Sequence, residues 1–259
     1  MISLNQEMSV GFAAGNDERM KKSRSYTMDK RRIVAIGGGC FEDGEMTPVF
    51  KRIVELSEKP APRVLSLPTA AHDSTGGEAT LESIFKSLGC SSFETLTLTT
   101  AGLSPEEVRS KVLSADIVFA GGGNLEFLMN VWNSTGAADA LREAFEKGIV
   151  LSGVSSGAMC WFDEGYDDCA ENGSFMFVQC VGLLPYCNCP HFESSGWQTF
   201  IPAIRRRSFS GIACENGAAL VYCDGRYEPI SGRDGGTVWL LDKEKGFEMS
   251  AIDCETLNR

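Results

Sequence analysis

The sequence predicts an α/β protein: a mostly parallel sheet covered by helices on both faces, with antiparallel strands at its edge. Three observations carry this prediction. From Arg32 onward, short apolar runs rich in β-branched residues alternate with segments of helical period over roughly 120 residues, the pattern of strand–helix–strand units. Several of these runs end directly in glycine clusters, Gly37-Gly38-Gly39 and Gly121-Gly122-Gly123, as strands do when they feed tight turns. The 259 residues are 43% hydrophobic and 23% charged, an ordinary globular composition long enough to build a core without staples.

Taken in order, Ile33 to Ile36 reads as a strand, followed by a helix from about Thr47 to Ser57 with Pro48 in its first turn. Arg63 to Leu67 is the second strand, and about Glu78 to Leu88 the second helix. Leu96 to Leu98 reads as a third strand. Ser104-Pro105-Glu106-Glu107 then opens a helix with an N-cap serine, a proline at the first helical position and acidic residues near the positive end of the dipole. Ile117 to Phe119 is the fourth strand and runs into the second glycine triplet and a helix from Leu125 to Trp132. Another helix, Ala137 to Lys147, leads to the strand Ile149 to Ser152. After Phe162 the alternation weakens into Phe175 to Val181, Ala218 to Cys223 and Thr237 to Leu241, which read as the antiparallel edge of the same sheet because no linker sets them apart. Residues 1–30 show no sustained period and read as a flexible leader, leaving 31–259 as a single domain.

Charge and cysteine content narrow the function. Asp+Glu 35 against Lys+Arg 24 gives a net charge of -11, which repels phosphate backbones and anionic headgroups, so nucleic-acid and membrane partners are not expected. Ten cysteines are too few for a disulfide scaffold, and several lie in apolar runs. With no apolar stretch in the leader long enough for a secretory signal, a reducing, cytoplasmic setting is expected.

The glycine triplets do not form a dinucleotide fingerprint, since Glu42 and Glu126 stand where the third glycine would be. More informative is Gly153-Val154-Ser155-Ser156-Gly157, which follows an apolar strand and precedes a helical stretch. That is the setting of a nucleophile elbow, and only Ser155 has glycine two positions away on both sides. A serine nucleophile needs a base, and the chain has two histidines. His191 lies downstream in Pro185-Tyr186-Cys187-Asn188-Cys189-Pro190-His191, a segment expected to be loop because of its prolines. His72 is the weaker candidate. The carboxylates between serine and histidine are Asp163, Glu164, Asp167, Asp168 and Glu171. The histidine follows the serine by only 36 residues, too few for an α/β-hydrolase.

Together, Ala120-Gly121-Gly122-Gly123-Asn124, Gly153-Val154-Ser155-Ser156-Gly157-Ala158 and Gly182-Leu183-Leu184-Pro185 through Cys189-Pro190-His191-Phe192 resemble the aspartyl dipeptidase (peptidase E) and cyanophycinase family of serine peptidases, from about Arg32 to about Leu241. The resemblance implies a single three-layer αβα sandwich like that of class I glutamine amidotransferases. It implies Ser155 as nucleophile, His191 as base, and backbone N–H groups of Gly123 and Ser156 as the oxyanion hole. Ser156 stands where the family usually has alanine, so Ser156→Ala is expected to keep most activity. The acid matches best at Asp168, then Asp167, with Glu171 also open. A substrate with N-terminal Asp requires a cationic pocket, for which Arg205, Arg206 and Arg207 are the nearest cluster, with Asn124 beside the oxyanion loop as a further contact. The implied substrate is a small peptide, the chemistry needs no cofactor, and a homodimer is open. The alternatives are cleavage of β-aspartyl-arginine units, a member that keeps the fold without activity, or a zinc site at Cys187-x-Cys189-x-His191 completed by Cys180 or Cys214.

Overall fold

The computed structural model describes residues 31–253 and 257; the expected leader, residues 1–30, lies outside them. It is a mixed α/β fold with two sheets flanked by helices. Strands β1 (Arg32–Ile36), β2 (Arg63–Leu67), β3 (Ser92–Thr95), β4 (Ile117–Ala120) and β5 (Val150–Val154) are parallel, and β10 (Ala218–Cys223) and β11 (Arg226–Ser231) extend the sheet antiparallel, in the order β11-β10-β1-β5-β4-β2-β3. The two-residue period of the strands divides the core. Ile33, Ala35, Val118 and Leu151 face the helices α3 (Pro105–Ser114), α4 (Leu125–Thr135) and α5 (Ala137–Glu146), whereas Val34, Ile36, Ile117 and Val150 face α1 (Thr47–Leu56) and α2 (Glu78–Ser87). The start of α3 matches its sequence signal closely: the Ser104 hydroxyl accepts from the Glu107 N–H and the Glu107 carboxylate accepts from the Ser104 N–H.

The expectation of one sheet is corrected. A six-stranded sheet, ordered β13-β12-β9-β8-β6-β7, is built from β6 (Phe162–Asp167), β7 (Met176–Gln179), β8 (Leu184–Cys189), β9 (Gly211–Cys214), β12 (Val238–Asp242) and β13 (Glu248–Ala251). Only β10 and β11 join the first sheet. One face of the second sheet, through Leu184, Ile212 and Leu240, closes on the same core as α4 and the single-turn helix α6 (Ser156–Met159). Its other face is covered by the short helix α7 (Phe200–Ile204), where Tyr166, Phe200 and Leu241 pack together.

Two local misreadings have physical causes. The third strand is Ser92–Thr95 rather than Leu96 to Leu98, because it is a half-exposed edge strand whose apolar successors turn inward as loop. Leu184–Cys189 is a strand despite Pro185. The β6–β8 register shifts between Phe162 and Glu164, opposite Leu184 and Cys187, and this bulge takes in the proline, which has no N–H for the ladder.

Phe50 anchors the α1/α2 side. It is 1% exposed, and its ring lies 5.0 Å from that of Phe41 edge-on, 5.4 Å from Phe85 edge-on and 5.8 Å from Phe119 stacked. Phe50→Ala is expected to lower the unfolding free energy by about 3–5 kcal/mol in urea titration. A loss below about 1 kcal/mol would contradict the role of this cluster.

Candidate active site

The site forms at the carboxyl ends of β1, β5, β4 and β2, where open α/β sheets place their ligands. Ser155 follows β5 with φ 57° and ψ −121°, a conformation that side chains other than glycine rarely adopt. The turn is possible because its flanks lack side chains. A Cβ on Gly153 would lie 2.2 Å from the Gly157 carbonyl oxygen, and one on Gly157 would lie 2.1 Å from that of Ala120. The Ser155 N–H donates to the Ile36 carbonyl at 3.0 Å, tying the elbow to β1. The helix behind it, α6, is a single turn, so any help to an anion comes from individual N–H groups rather than from a long helix dipole.

His191 follows β8 and also has positive φ, 52°. Its N–H donates to the Gly37 carbonyl at 3.2 Å, which brings the end of the second sheet onto the end of the first. Its Nε2 lies 2.9 Å from Ser155 Oγ and its Nδ1 lies 2.7 Å from Asn216 Oδ1. The Asn216 side-chain and backbone N–H groups both donate to the Glu193 carboxylate. This order fixes the protons. A carboxylate only accepts, so the Asn216 amide turns its NH₂ to Glu193 and its oxygen to His191; Nδ1 then carries the hydrogen and Nε2 is left to accept from Ser155.

The expectation that Asp168 holds the imidazole is therefore corrected. Both ring nitrogens are already bonded, and Asp168 is exposed at the end of β6. Asp167 is buried, and its Oδ2 accepts from the Leu125 N–H at the start of α4, with burial pushing its carboxyl above the usual range. Asn216 and Glu193 were missed because the sequence reading looked only for carboxylates between serine and histidine. A neutral amide can also fix a tautomer, as in Cys-His-Asn proteases, and Asn216 lies in the Glu215-Asn216-Gly217 turn between β9 and β10. The first glycine triplet also finds its purpose here. A Cβ on Gly38 would lie 1.8 Å from Asn216 Oδ1 and 2.6 Å from the His191 ring.

The loop after β4 faces Ser155 from the other side. Among the described residues, no protein acceptor takes the N–H groups of Gly122, Gly123 or Ser156, so these donors are free for a ligand. Gly123 has φ 145°, and a Cβ there would meet the Ala70 carbonyl oxygen at 2.2 Å. Asn124 uses its Oδ1 to cap α4, accepting from the Phe127 N–H at 2.7 Å, so the expected substrate contact would fall to its side-chain NH₂. The second histidine, His72, packs against Phe127 with ring centroids 3.9 Å apart and planes tilted by 38°, and makes no hydrogen bond to Ser155.

A cavity of about 410 Å³ opens beside Ser155, bordered by Gly121, Gly122 and Val154. Phe41, Leu81 and Phe119 give it apolar walls, Glu42 and Glu78 bring carboxylates, and among the described residues no arginine or lysine lines it. The expected Arg205–Arg207 clamp does not border this cavity. Arg205 and Arg206 are exposed after α7 and make no ion pair among the described residues, while Arg207 holds the buried Glu164 carboxylate bidentately and lies over Phe177. The zinc alternative also fails on placement. Cys187 and Cys189 are buried against α7, where burial holds their thiols well above the usual range and so opposes the thiolate a metal needs. No cluster of three metal-ligating side chains occurs among the described residues.

Comparison with known proteins gives the family. The family model Peptidase family S51 matches residues 33–230, and the chain belongs to that family. It is 32% identical over 218 residues to the uncharacterized peptidase YgaJ of Bacillus subtilis (strain 168), a match covering 82% of this chain and 92% of that protein. The fold is similar to the crystal structure of a peptidase from an acI-B1 Actinobacterium, with TM-score 0.66, 16% identity and coverage of 87% of this chain and 95% of that one. A protein from Listeria monocytogenes EGD-e provisionally assigned to peptidase E gives TM-score 0.60 at 18% identity, over 78% of this chain and 98% of that one. Among the described residues, no helix is long and apolar enough to cross a membrane.

Two variants test the relay. Asn216→Ala frees the imidazole to adopt the wrong tautomer and is expected to lower kcat by about 10²-fold or more, read by steady-state kinetics. Gly38→Ala pushes Asn216 and His191 apart and is expected to cause a similar loss in kcat while far-UV circular dichroism stays unchanged.

Proposed function

We propose that the chain is a serine peptidase that cleaves small peptides through an acyl-enzyme on Ser155. The observation that carries this reading is the 2.9 Å contact between Ser155 Oγ and His191 Nε2, with Nδ1–H anchored on Asn216. Ser155 Oγ attacks the scissile carbonyl while its proton passes to His191 Nε2. The carbonyl oxygen becomes an oxyanion held by the N–H groups of Gly123 and Ser156. The intermediate collapses, the C–N bond breaks, and the leaving amine takes the proton from His191. Water then gives a proton to His191 and attacks the ester, and the second collapse returns that proton to Ser155. Glu193 is exposed, so its charge is screened by solvent; its contribution is to orient Asn216.

Dipeptides with N-terminal Asp are the substrate class suggested by the family resemblance. The second reading, cleavage of β-aspartyl-arginine units, is favoured by the cavity, where Glu42 and Glu78 would attract a guanidinium and repel a substrate carboxylate. The nine cysteines among the described residues are all free, which fits a reducing compartment such as the cytoplasm.

Ser155→Ala is expected to abolish turnover and leave the thermal melt within a few degrees. Residual activity above about one thousandth of wild type would sink the serine mechanism. A dipeptide panel varying the first residue and the linkage separates the two substrates: release of amino acids from Asp-X supports the dipeptidase, and release only from β-aspartyl-arginine supports the alternative.

A further inference from the structure

We infer that the Ser156 hydroxyl is a positioning group for the oxyanion hole, so that one residue supplies one donor through its backbone and fixes the other through its side chain. This rests on the serine-peptidase reading above. Ser156 is fully buried, and its Oγ donates to the Gly123 carbonyl oxygen at 2.7 Å. The same peptide unit, on its other side, donates through the Asn124 N–H to the Ala70 carbonyl at 2.8 Å. The plane between Gly123 and Asn124 is thus held at both ends, by α6 on one side and by the turn after β2 on the other.

The hold is needed because Gly123 imposes little conformational preference of its own. At φ 145°, a Cβ on Gly123 would lie 2.2 Å from the Ala70 oxygen, so a larger residue that would stiffen the loop is excluded. Without the hydroxyl, the plane after Gly123 is secured at one end only. The Gly123 N–H then loses its fixed place opposite Ser155, and a donor that must reorganise during the reaction stabilises an oxyanion less than one already in place. The same bond directs the Ser156 proton toward Gly123 and away from the substrate, so Ser156 is not a second nucleophile. This revises the sequence expectation that Ser156→Ala keeps most activity.

The test compares wild type, Ser156→Ala, Ser156→Thr and Ser155→Ala in their reaction with diisopropyl fluorophosphate and in peptide turnover. In the labelling step Ser155 Oγ bonds to phosphorus, the P–F bond breaks, fluoride leaves and the serine proton passes to His191, while the phosphoryl oxygen occupies the oxyanion hole. Ser156→Ala is expected to label about 10- to 100-fold more slowly and to lose kcat by a similar factor. Its KM should stay within about two-fold, and its pH profile should superimpose on that of wild type, because the His191–Asn216 contact is untouched. Ser156→Thr, which keeps the hydroxyl, is expected to recover most of the labelling rate. If Ser156→Ala does not fold, Ser156→Cys, a weak donor, is measured in its place with the same expected pattern. Wild-type labelling by Ser156→Ala, a loss confined to KM, or a shifted pH profile would overturn the inference. A wild-type protein that does not label at Ser155 would instead overturn the serine-peptidase reading.

Discussion

The site depends on how closely three pieces of backbone approach one another beneath Ser155. The carbonyl oxygen of Ala120 lies 2.7 Å from where a Gly153 Cβ would stand and 2.1 Å from where one on Gly157 would stand. With side chains at either position, β4, β5 and α6 could not meet. Because they do meet, the chain reverses within two residues, Ser155 is forced to positive φ, and its oxygen projects from the sheet instead of turning into the core. The glycine loop after β4 is carried to Ser155 by the same contact, so the proposed oxyanion donors and the proposed nucleophile share one packing constraint.

The second sheet supplies the rest in part. His191 ends β8, and Asn216 lies where the chain leaves β9 in the second sheet for β10 in the first. His191 is thus placed by a strand of the second sheet and Asn216 by the crossing between the two, whereas Ser155 follows a strand of the first sheet. They are joined to it through the Gly37 carbonyl and the space left above Gly38. The cavity lies on the opposite flank, under the loop between β1 and α1, so the groups that do chemistry and those that would select substrate are supplied by different segments.

Much of this was legible in the sequence where local rules decide the outcome. Four of the five parallel strands (β1, β2, β4 and β5), the helices between them, the Ser104 cap and the tight turn at Ser155 each follow from periodicity, capping or the size limits of a turn. What was not legible depended on distant pairing. Whether Phe162–Asp167 and Leu184–Cys189 extend the first sheet or found a second is settled by partners far apart in sequence, and a proline inside one of them read as a loop signal until the bulge is seen. The partner of His191 was hidden for a related reason. Asn216 is made suitable by Glu193, which only the fold brings to it, whereas Asp168 resembled the family's acid in sequence and ended exposed. Arg205 to Arg207 illustrate the same limit, since a run of charge does not show that one member, Arg207, is taken up by Glu164.

That Ser155 and His191 follow strands of different sheets has a consequence for how the proposed site fails. The Ser155–His191 contact is a gauge of the alignment between two packed layers, and a hydrogen bond weakens steeply with displacements that leave a hydrophobic interface almost unchanged. Heat or a remote substitution that lets the layers slide slightly will silence the site while both sheets keep their secondary structure. Loss of activity ahead of unfolding would therefore report a change in the registry of the two sheets.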